Sequence, residues 1–331
     1  MKVWRVGLVA LLLLAALAGA AAWWLQQALP LASERVEVSI EPGTSPQEVA
    51  KLWVQAGVQT SPTVLYAWFR MSGQARRIQA GSYEVEPGVT PRSLLDRMVK
   101  GEQSLETVRL IEGWTFAQVR EHLAKAPHLK STISSLDDAQ VAALLGIEGE
   151  RVDGWLFPDT YAYSRGVSDL LVLKRAKAAM GRHLASIWAQ RQPDSPLKTP
   201  QEMLVLASVV EKETGLAADR GLIAGVFTNR LRIGMPLQSD PTVIYGMGAQ
   251  FDGNLRRADL STDHPWNTYT RRGLPPTPIA LTGLAALRAV ALPQTTRALY
   301  FVARGDGSSV FSETLADHNR AVNQFQRGNA P

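Results

Sequence analysis

The chain opens with a long apolar run that follows two basic residues. From Val6 to Leu25 it has 20 residues without a charge, and a helix of that length rises about 30 Å, the thickness of a hydrocarbon core. Lys2 and Arg5 precede the run, so the positive-inside rule predicts a cytoplasmic N-terminus. We therefore expect a cytoplasmic tip at residues 1–5, a transmembrane anchor at residues 6–25 and an extracytoplasmic remainder.

A cleaved secretory signal is the alternative interpretation of this segment. Ala18-Gly19-Ala20 would suit a signal peptidase. However, the apolar run exceeds the about 7–15 residues of a typical signal core, and it ends in Trp23 and Trp24, which suit a membrane interface. These features favour an anchor that is retained. Either interpretation places the body of the protein outside the cytoplasm.

Three strand–turn–helix units follow the apolar run. Each combines a short alternating strand, a turn that contains glycine and an amphipathic helix with a polar N-cap. The predicted strands are residues 36–40, 81–85 and 107–111, and the predicted caps are Ser45, Thr90 and Thr115. Such units suit a carbohydrate-binding module or a plain packing domain, and the amphipathic stripes favour packing. Residues 36–101 are assigned to this small βα module.

The remainder, residues 107–327, is dominated by helical periodicity. The predicted helices are residues 129–145, 169–190 and 201–214, a helix that ends at Gly234 and another that begins at Pro241. The sequence therefore predicts an α+β protein. We expect a single N-terminal transmembrane helix, the small βα module and then a mixed α/β domain.

Composition restricts the chemistry of the chain. It contains no cysteine, which excludes disulfides, thiolate nucleophiles and Cys-ligated metals. The five histidines show no ligand spacing, and HExxH, GxSxG, Walker A and GxGxxG motifs are absent, so we expect no metal and no cofactor. The net charge of +5 falls to +3 without Lys2 and Arg5, since 33 basic residues then face 30 acidic ones. We therefore expect no nucleic-acid partner.

The helix predicted at residues 201–214 carries two glutamates near its end. At 100° per residue, Glu211 and Glu213 point about 200° apart, so we expect one to be functional and the other solvated. Glu211 continues the spacing of Ala207 and Ser208, small residues that permit a close approach. A carboxyl that is partly desolvated there would have a raised pKa and could act as a general acid. The alternative is a surface glutamate at a helix end.

Polar and aromatic residues follow in two clusters. Asp240 precedes a proline, which is typical of a helix N-cap, whereas no such role is forced on Gln238 or Tyr245. A proline-rich loop presents Asn267 and Tyr269. Amides, hydroxyls and aromatic rings hydrogen-bond to sugars and stack on them, and they also satisfy the backbone of a loop.

Seven sequence blocks occur together between residues 154 and 319. They are Gly154-Trp155-Leu156-Phe157-Pro158-Asp159-Thr160-Tyr161, Glu211-Lys212-Glu213-Thr214, Asn229-Arg230-Leu231, Leu237 to Gly246, Asn267-Thr268-Tyr269, Gly273-Leu274-Pro275-Pro276 and Asp317-His318-Asn319. In this order the blocks resemble the YceG/MltG family of endolytic murein transglycosylases, and the similarity runs from about Val36 to about Phe325. The resemblance also implies a LysM-like character for residues 36–101.

The resemblance implies cleavage of the MurNAc–GlcNAc β-1,4 bond within nascent peptidoglycan strands. The products would carry 1,6-anhydroMurNAc ends, and the cleavage would help to terminate glycan elongation. The family has a catalytic glutamate in the block at residues 211–214, which maps onto Glu211. One acid suffices for this reaction because the C6 hydroxyl of the same sugar attacks its own C1. The residues expected to hold the sugar are Gln238, Asp240, Tyr245, Asn267 and Tyr269.

The implied partners are peptidoglycan glycan strands, with synthases in the same membrane as further candidates. Two other functions stay open. A muramidase that used Glu211 and Asp240 as an acid–base pair would add water and leave reducing ends. An anchored glycan-binding scaffold without catalysis would not need Glu211 but would depend on residues 36–100.

Overall fold

The computed structural model describes residues 2–327, without the side chains of residues 2–6, 9, 10 and 327. Residue 1 of the expected cytoplasmic tip at residues 1–5 lies outside the described residues. The chain divides into two compact units. The first comprises Met1–Thr107 and Ala162–Val167, and the second comprises Val108–Tyr161 and Ser168–Pro331.

The first unit contains the βα elements. Its helices are α1 (Lys2–Trp24), α2 (Pro46–Ala56), α3 (Pro62–Met71) and α4 (Pro91–Lys100), with a 3-10 turn at Ala75–Arg77, and its strands are β1 (Val36–Ile40) and β2 (Gly81–Val85). The strands predicted at residues 36–40 and 81–85 are confirmed. They pair antiparallel, with Val38 opposite Tyr83.

Local capping and aromatic packing hold the first unit together. Ser45 accepts a hydrogen bond from the Glu48 amide and Thr90 accepts one from the Ser93 amide, so both predicted N-caps are confirmed. Thr90 and Ser93 also form a reciprocal capping box. Trp53 and Phe69 are fully buried in the core. Each apolar side chain of this size contributes about 1.5–3 kcal/mol when it is buried.

Helix α1 precedes this core. Its described leucines are exposed, and Leu14 and Leu17 each retain about two thirds of their accessible surface. Trp24 packs partly against the core of the first unit. No helix in the described part of the chain has both the length and the apolar character needed to span a bilayer.

The chain passes between the units within β3 (Leu105–Arg109) and β4 (Thr160–Ser164), which pair with each other. The second unit adds the helices α5 (Phe116–Ala124), α6 (Asp138–Leu145), α7 (Asp169–Trp188), α8 (Pro200–Glu213), α9 (Ala217–Arg232), α10 (Asp240–Met247), α11 (Arg257–Ser261), α12 (Leu284–Ala291) and α13 (Leu315–Val322), and the strands β5 (Tyr300–Ala303) and β6 (Ser309–Ser312). Across residues 2–327 the strands form three two-stranded sheets. The fold is thus mixed α and β.

Two predicted elements differ from the structure. The third strand covers residues 105–109 rather than 107–111. The helix predicted at residues 129–145 is wrong for its first half, because only α6 is helical. The Thr132 amide and hydroxyl donate to the Asp169 carboxylate, and Arg120 donates to the carbonyls of Ile133 and Leu136. These contacts occupy backbone groups that a helix would need.

Helix α8 is the centre of the second unit. Every residue from 203 to 210 is buried, as expected for a helix that is apolar on all sides. It packs against α7, α9 and α12. Thr199 caps its start and Pro200 occupies the first turn. This packing fixes the helix whose last turn carries Glu211 and Glu213.

Candidate active site

A cavity of about 450 Å³ lies at the C-terminal end of α8. The polar and aromatic side chains that line it include Glu213, Arg230, Gln238, Asp240, Tyr269, Tyr300 and His318. They come from α8, α9, the start of α10 with the segment before it, the loop that follows α11, β5 and α13. The fold therefore gathers polar groups from six parts of the chain around one largely buried carboxyl.

Glu213 is that carboxyl. It is the last residue of α8, and its Oε1 accepts a hydrogen bond from the Ser239 hydroxyl. Burial raises the pKa of Glu213 to about 7; the Ser239 hydrogen bond opposes this shift and the Asp240 charge adds to it. The C-terminal end of a helix also disfavours a negative charge. Near neutral pH, Glu213 therefore populates both protonation states, which suits general acid–base catalysis.

A threonine holds the segment opposite Glu213. The Ser239 amide donates to Thr268 Oγ1 at 3.0 Å, and the Gln238 amide donates to the Thr268 carbonyl at 3.0 Å. The hydroxyls of Thr242 and Thr268 lie 2.8 Å apart. Gln238 has a φ of +52°, a left-handed conformation that is uncommon outside glycine. These bonds hold the Gln238 backbone in that conformation at the cavity wall.

Asp240 faces the same cavity. Its Oδ1 accepts a hydrogen bond from the Tyr269 hydroxyl at 2.5 Å. Burial, reinforced by this bond, raises the pKa of Tyr269, so the tyrosine stays protonated and donates. The prediction that Asp240 caps α10 is wrong, since Ser239 occupies the N-cap position and makes no side-chain capping bond. The Ser239 hydroxyl is directed to Glu213 instead.

Arg230 lies beneath the cavity and is 6% exposed. It donates to the carbonyls of Leu299 and Leu237, each at 2.7 Å, and to Gln238 Oε1 at 3.4 Å. Burial lowers the pKa of Arg230, but a guanidinium keeps its proton in proteins. Arg230 therefore joins β5 to the entry of α10 and supplies a positive charge close to Glu213, whose carboxylate it favours.

Tyr300 and His318 form the aromatic wall of the cavity. Their rings are stacked, with centroids 5.2 Å apart and an interplanar angle of 23°. Burial lowers the pKa of His318, and the Arg230 charge acts in the same direction. The imidazole is therefore neutral near pH 7. A flat wall of this kind suits the face of a sugar ring.

Glu211 occupies a different environment. Its Oε2 accepts a hydrogen bond from the amide of Gly283, the N-cap of α12, at 2.9 Å. Burial raises the pKa of Glu211, the Gly283 bond opposes the shift and the Glu112 charge adds to it. Glu211 is not among the described residues that line the Glu213 cavity. Both glutamates are partly buried, so neither is the fully solvated side chain that was expected for one of them.

The five predicted binding residues separate into two groups. Gln238, Asp240 and Tyr269 line the Glu213 cavity. Tyr245 lines a second cavity and donates to Asp153 Oδ2 at 2.8 Å. Asn267 is fully buried, and its side chain bonds to the backbone of its own loop.

The sequence interpretation did not select Ser239, Thr268, Arg230 or His318. The residue types around Ser239 offered one signal, since a serine before Asp-Pro can itself be the N-cap. Arg230 offered another, because it follows Ile223 and Phe227 at helical spacing, and an arginine on such an apolar stripe needs buried partners. Thr268 and His318 lie in the blocks that carry the family resemblance, but their local sequence gives no comparable physical signal.

The sequence model of the YceG-like family matches residues 38–324. The chain belongs to the YceG-like family. It is 29% identical over 307 residues to an endolytic murein transglycosylase of Bacillus subtilis, which covers 88% of this chain and 84% of that relative. It is 28% identical over 321 residues to endolytic murein transglycosylases of two Streptococcus pneumoniae strains, which covers 87% of this chain but 58% of each relative.

A solved structure shows the same fold. A YceG-like protein of Listeria monocytogenes matches with a TM-score of 0.57 and 27% sequence identity, over 87% of this chain and 98% of that one. The resemblance found in the sequence blocks is thereby confirmed at the level of the family.

Proposed function

We propose that this protein is a lytic transglycosylase that cleaves peptidoglycan strands internally, with Glu213 as its acid. The family and the names of the relatives support the reaction class. The observation that carries the proposal is a desolvated carboxyl, with a pKa of about 7, in a cavity lined by Gln238, Asp240 and Tyr269. An acid of this kind can protonate a leaving oxygen near neutral pH.

The proposed reaction needs one carboxyl and no water. Protonated Glu213 gives its proton to the glycosidic oxygen as the bond from that oxygen to C1 of MurNAc breaks. The resulting Glu213 carboxylate takes the proton of the C6 hydroxyl as O6 bonds to C1 of the same sugar. The products are a 1,6-anhydroMurNAc end and a free GlcNAc 4-hydroxyl. Because O6 is tethered to the reacting sugar, its effective concentration is far above that of a separate nucleophile.

The surroundings of the two glutamates favour Glu213 over Glu211. Glu211 is engaged by the Gly283 amide at the start of α12, which is a structural contact. Glu213 instead faces a cavity, and its partner, the Ser239 hydroxyl, can rotate. A general acid needs access to the substrate oxygen, and this favours the residue that lines the cavity.

Three other side chains have roles in this proposal. The Gln238 amide and the Asp240–Tyr269 pair are placed to bind sugar hydroxyls and the N-acetyl group. The buried Arg230 guanidinium favours the ionised form of Glu213, which is the form left after the first proton transfer. Tyr245 and Asn267, which the sequence suggested as sugar contacts, take no part here.

Product analysis tests the proposal with a matched pair of variants. Purified wild-type protein is incubated with uncrosslinked glycan strands, and mass spectrometry identifies the ends. Glu213→Gln is expected to lower the formation of anhydro ends by about 10²–10⁴-fold, the usual contribution of a general acid. Glu211→Gln is expected to keep most of the activity, and thermal unfolding checks that both variants fold.

Three results would contradict the proposal. Activity that survives in Glu213→Gln but not in Glu211→Gln would assign the acid to Glu211. Products heavier by one water, with reducing ends, would indicate a muramidase. A wild-type protein that binds strands without cleaving them would favour the scaffold.

We also propose that Val6–Leu25 attaches the protein to the plasma membrane, with the catalytic unit on the outer side and residues 36–101 as a LysM-like module. The 20 uncharged residues and the exposed leucines of α1 support attachment, and synthases in that membrane are candidate partners. The test is fractionation: full-length protein should need detergent for release, whereas a variant that lacks residues 2–25 should be released by buffer. Release of both by salt would contradict the attachment.

A further inference from the structure

A second cavity, of about 830 Å³, lies beside α10 and takes no part in the proposed reaction. Its volume falls in the range of about 300–1,000 Å³ that is typical of ligand sites. The large apolar side chains that line it are Ile244, Tyr245, Phe251, Trp266 and Ile279. We call it the α10 cavity.

Two exposed cations, Arg151 and Lys212, line the α10 cavity. Arg151 stacks on Trp266, with its guanidinium carbon 5.4 Å from the ring centroid, and the Lys212 ammonium donates to the Gly113 carbonyl at 3.1 Å. Among the described residues, neither cation is within salt-bridge distance of a carboxylate.

The two acids that line the same cavity already have partners. Asp153 is 3% exposed and accepts hydrogen bonds from the Phe116 amide at 2.7 Å and the Tyr245 hydroxyl at 2.8 Å. Asp138 pairs with Arg120 at 3.6 Å. The cavity therefore presents apolar walls and two exposed cations that form no salt bridge, which is complementary to a small peptide that carries carboxylates.

Consecutive residues of the chain line the α10 cavity and the Glu213 cavity. Lys212 lines the first and Glu213 the second, and likewise Pro241 lines the first and Asp240 the second. Successive Cα atoms are about 3.8 Å apart, so consecutive residues bring the walls of the two cavities together at the end of α8 and at the start of α10.

We propose that the α10 cavity binds the acidic stem peptide carried by the muramic acid of the substrate. This inference rests on the proposed transglycosylase function. Stem peptides combine alanine methyl groups, which suit the apolar walls, with carboxylates, which Arg151 and Lys212 can bind. The enzyme would thus distinguish strands that carry peptides from strands whose peptides have been removed.

Rates on two substrates test the inference. Uncrosslinked strands are used as isolated and after an amidase has removed the stem peptides, and kcat/KM for anhydro-end formation is measured on each. Wild-type protein is expected to prefer the peptide-bearing strands by about tenfold, the effect of one charge-assisted hydrogen bond at an accessible site. Arg151→Gln combined with Lys212→Gln should bring the ratio close to one. Arg191→Gln is the matched control, because Arg191 stacks on Trp188 outside the cavity and should leave the ratio unchanged.

A binding measurement covers the case in which the double variant is inactive on both substrates. The free pentapeptide stem is titrated by calorimetry into Glu213→Gln protein and into the same protein with Arg151→Gln added, and binding should occur only in the former. A wild-type ratio of one, a ratio that the double variant leaves unchanged, or peptide binding that survives Arg151→Gln would overturn the stem site while leaving the transglycosylase intact. A wild-type protein that cleaves neither substrate would instead refute the proposed function.

Discussion

Removal of the Glu213 carboxyl is expected to stabilise the protein at alkaline pH. In the folded state the pKa of Glu213 rises from 4.5 to about 7, mainly because the carboxyl is buried. Between these two values the folded protein binds a proton that the unfolded chain releases. The contribution of this bound proton to the free energy of unfolding is therefore complete below pH 4.5, and it is lost as the pH rises through 7. Glu213→Gln keeps the shape and an acceptor for the Ser239 hydroxyl, but it does not titrate.

The size of the effect follows from the two pKa values. At about 1.4 kcal/mol per pH unit, the difference between 4.5 and about 7 corresponds to about 3 kcal/mol when the carboxyl is fully ionised. The folded carboxyl is nearly all protonated at pH 5 and mostly ionised at pH 8. The stability of Glu213→Gln relative to wild type should thus rise by about 2–3 kcal/mol between these pH values.

Urea denaturation at pH 5 and pH 8 measures this difference. The free energy of unfolding of the wild type is subtracted from that of the variant at each pH. The contributions of groups that titrate equally in both proteins cancel in this difference. Glu150→Gln is the control, because Glu150 is exposed. This substitution should change the free energy of unfolding by the same amount at pH 5 and at pH 8. If Glu213→Gln also changes the free energy of unfolding equally at pH 5 and pH 8, the conclusion that this carboxyl is strongly desolvated is refuted. The structural basis for a general acid near pH 7 is then lost as well.

Two further predictions concern the site and the core. Ser239→Ala removes a hydrogen bond that lowers the pKa of Glu213, so the alkaline limb of kcat/KM should move to higher pH; an unmoved limb would contradict the role of Ser239. In α9, a Cβ at Gly225 would lie 2.6 Å from the Gln294 carbonyl oxygen, so Gly225→Ala should cost about 1–3 kcal/mol. Gly181→Ala in α7 meets nothing within 4 Å and should stabilise by about 0.5–1 kcal/mol in urea denaturation; equal effects would refute the packing argument.

Local signals predicted the elements whose causes are local. The strands at residues 36–40 and 81–85 match β1 and β2, because alternation, a glycine turn and a capped helix act over a few residues. The helix expected at residues 129–145 failed for a non-local reason. Its first half is held by Asp169, 37 residues from Thr132. The hydrophobic periodicity of the segment therefore does not predict this contact.

The candidate site was likewise predictable from the sequence only where local geometry determines it, and not where tertiary packing does. Helical geometry predicts that Glu211 and Glu213 point about 200° apart, and in the structure the two carboxyls have different partners, Gly283 and Ser239. Which direction leads to a cavity depends on where α12 and the entry of α10 pack. The contacting residues lie 72 and 26 positions away along the chain, so the sequence of α8 alone does not predict which glutamate faces the cavity.

Glu211 nevertheless supports the position of Glu213 through α8. The last carbonyls of a helix lack partners within it, so a final turn tends to fray. Glu211 lies in that turn, and its bond to the Gly283 amide ties the turn to the start of α12. With the turn fixed, the Glu213 side chain leaves the backbone in a defined direction toward Ser239. General acid catalysis depends on that precision, so the Glu-Lys-Glu spacing supplies one carboxyl that positions the helix end and, about 200° around it, one that faces the cavity.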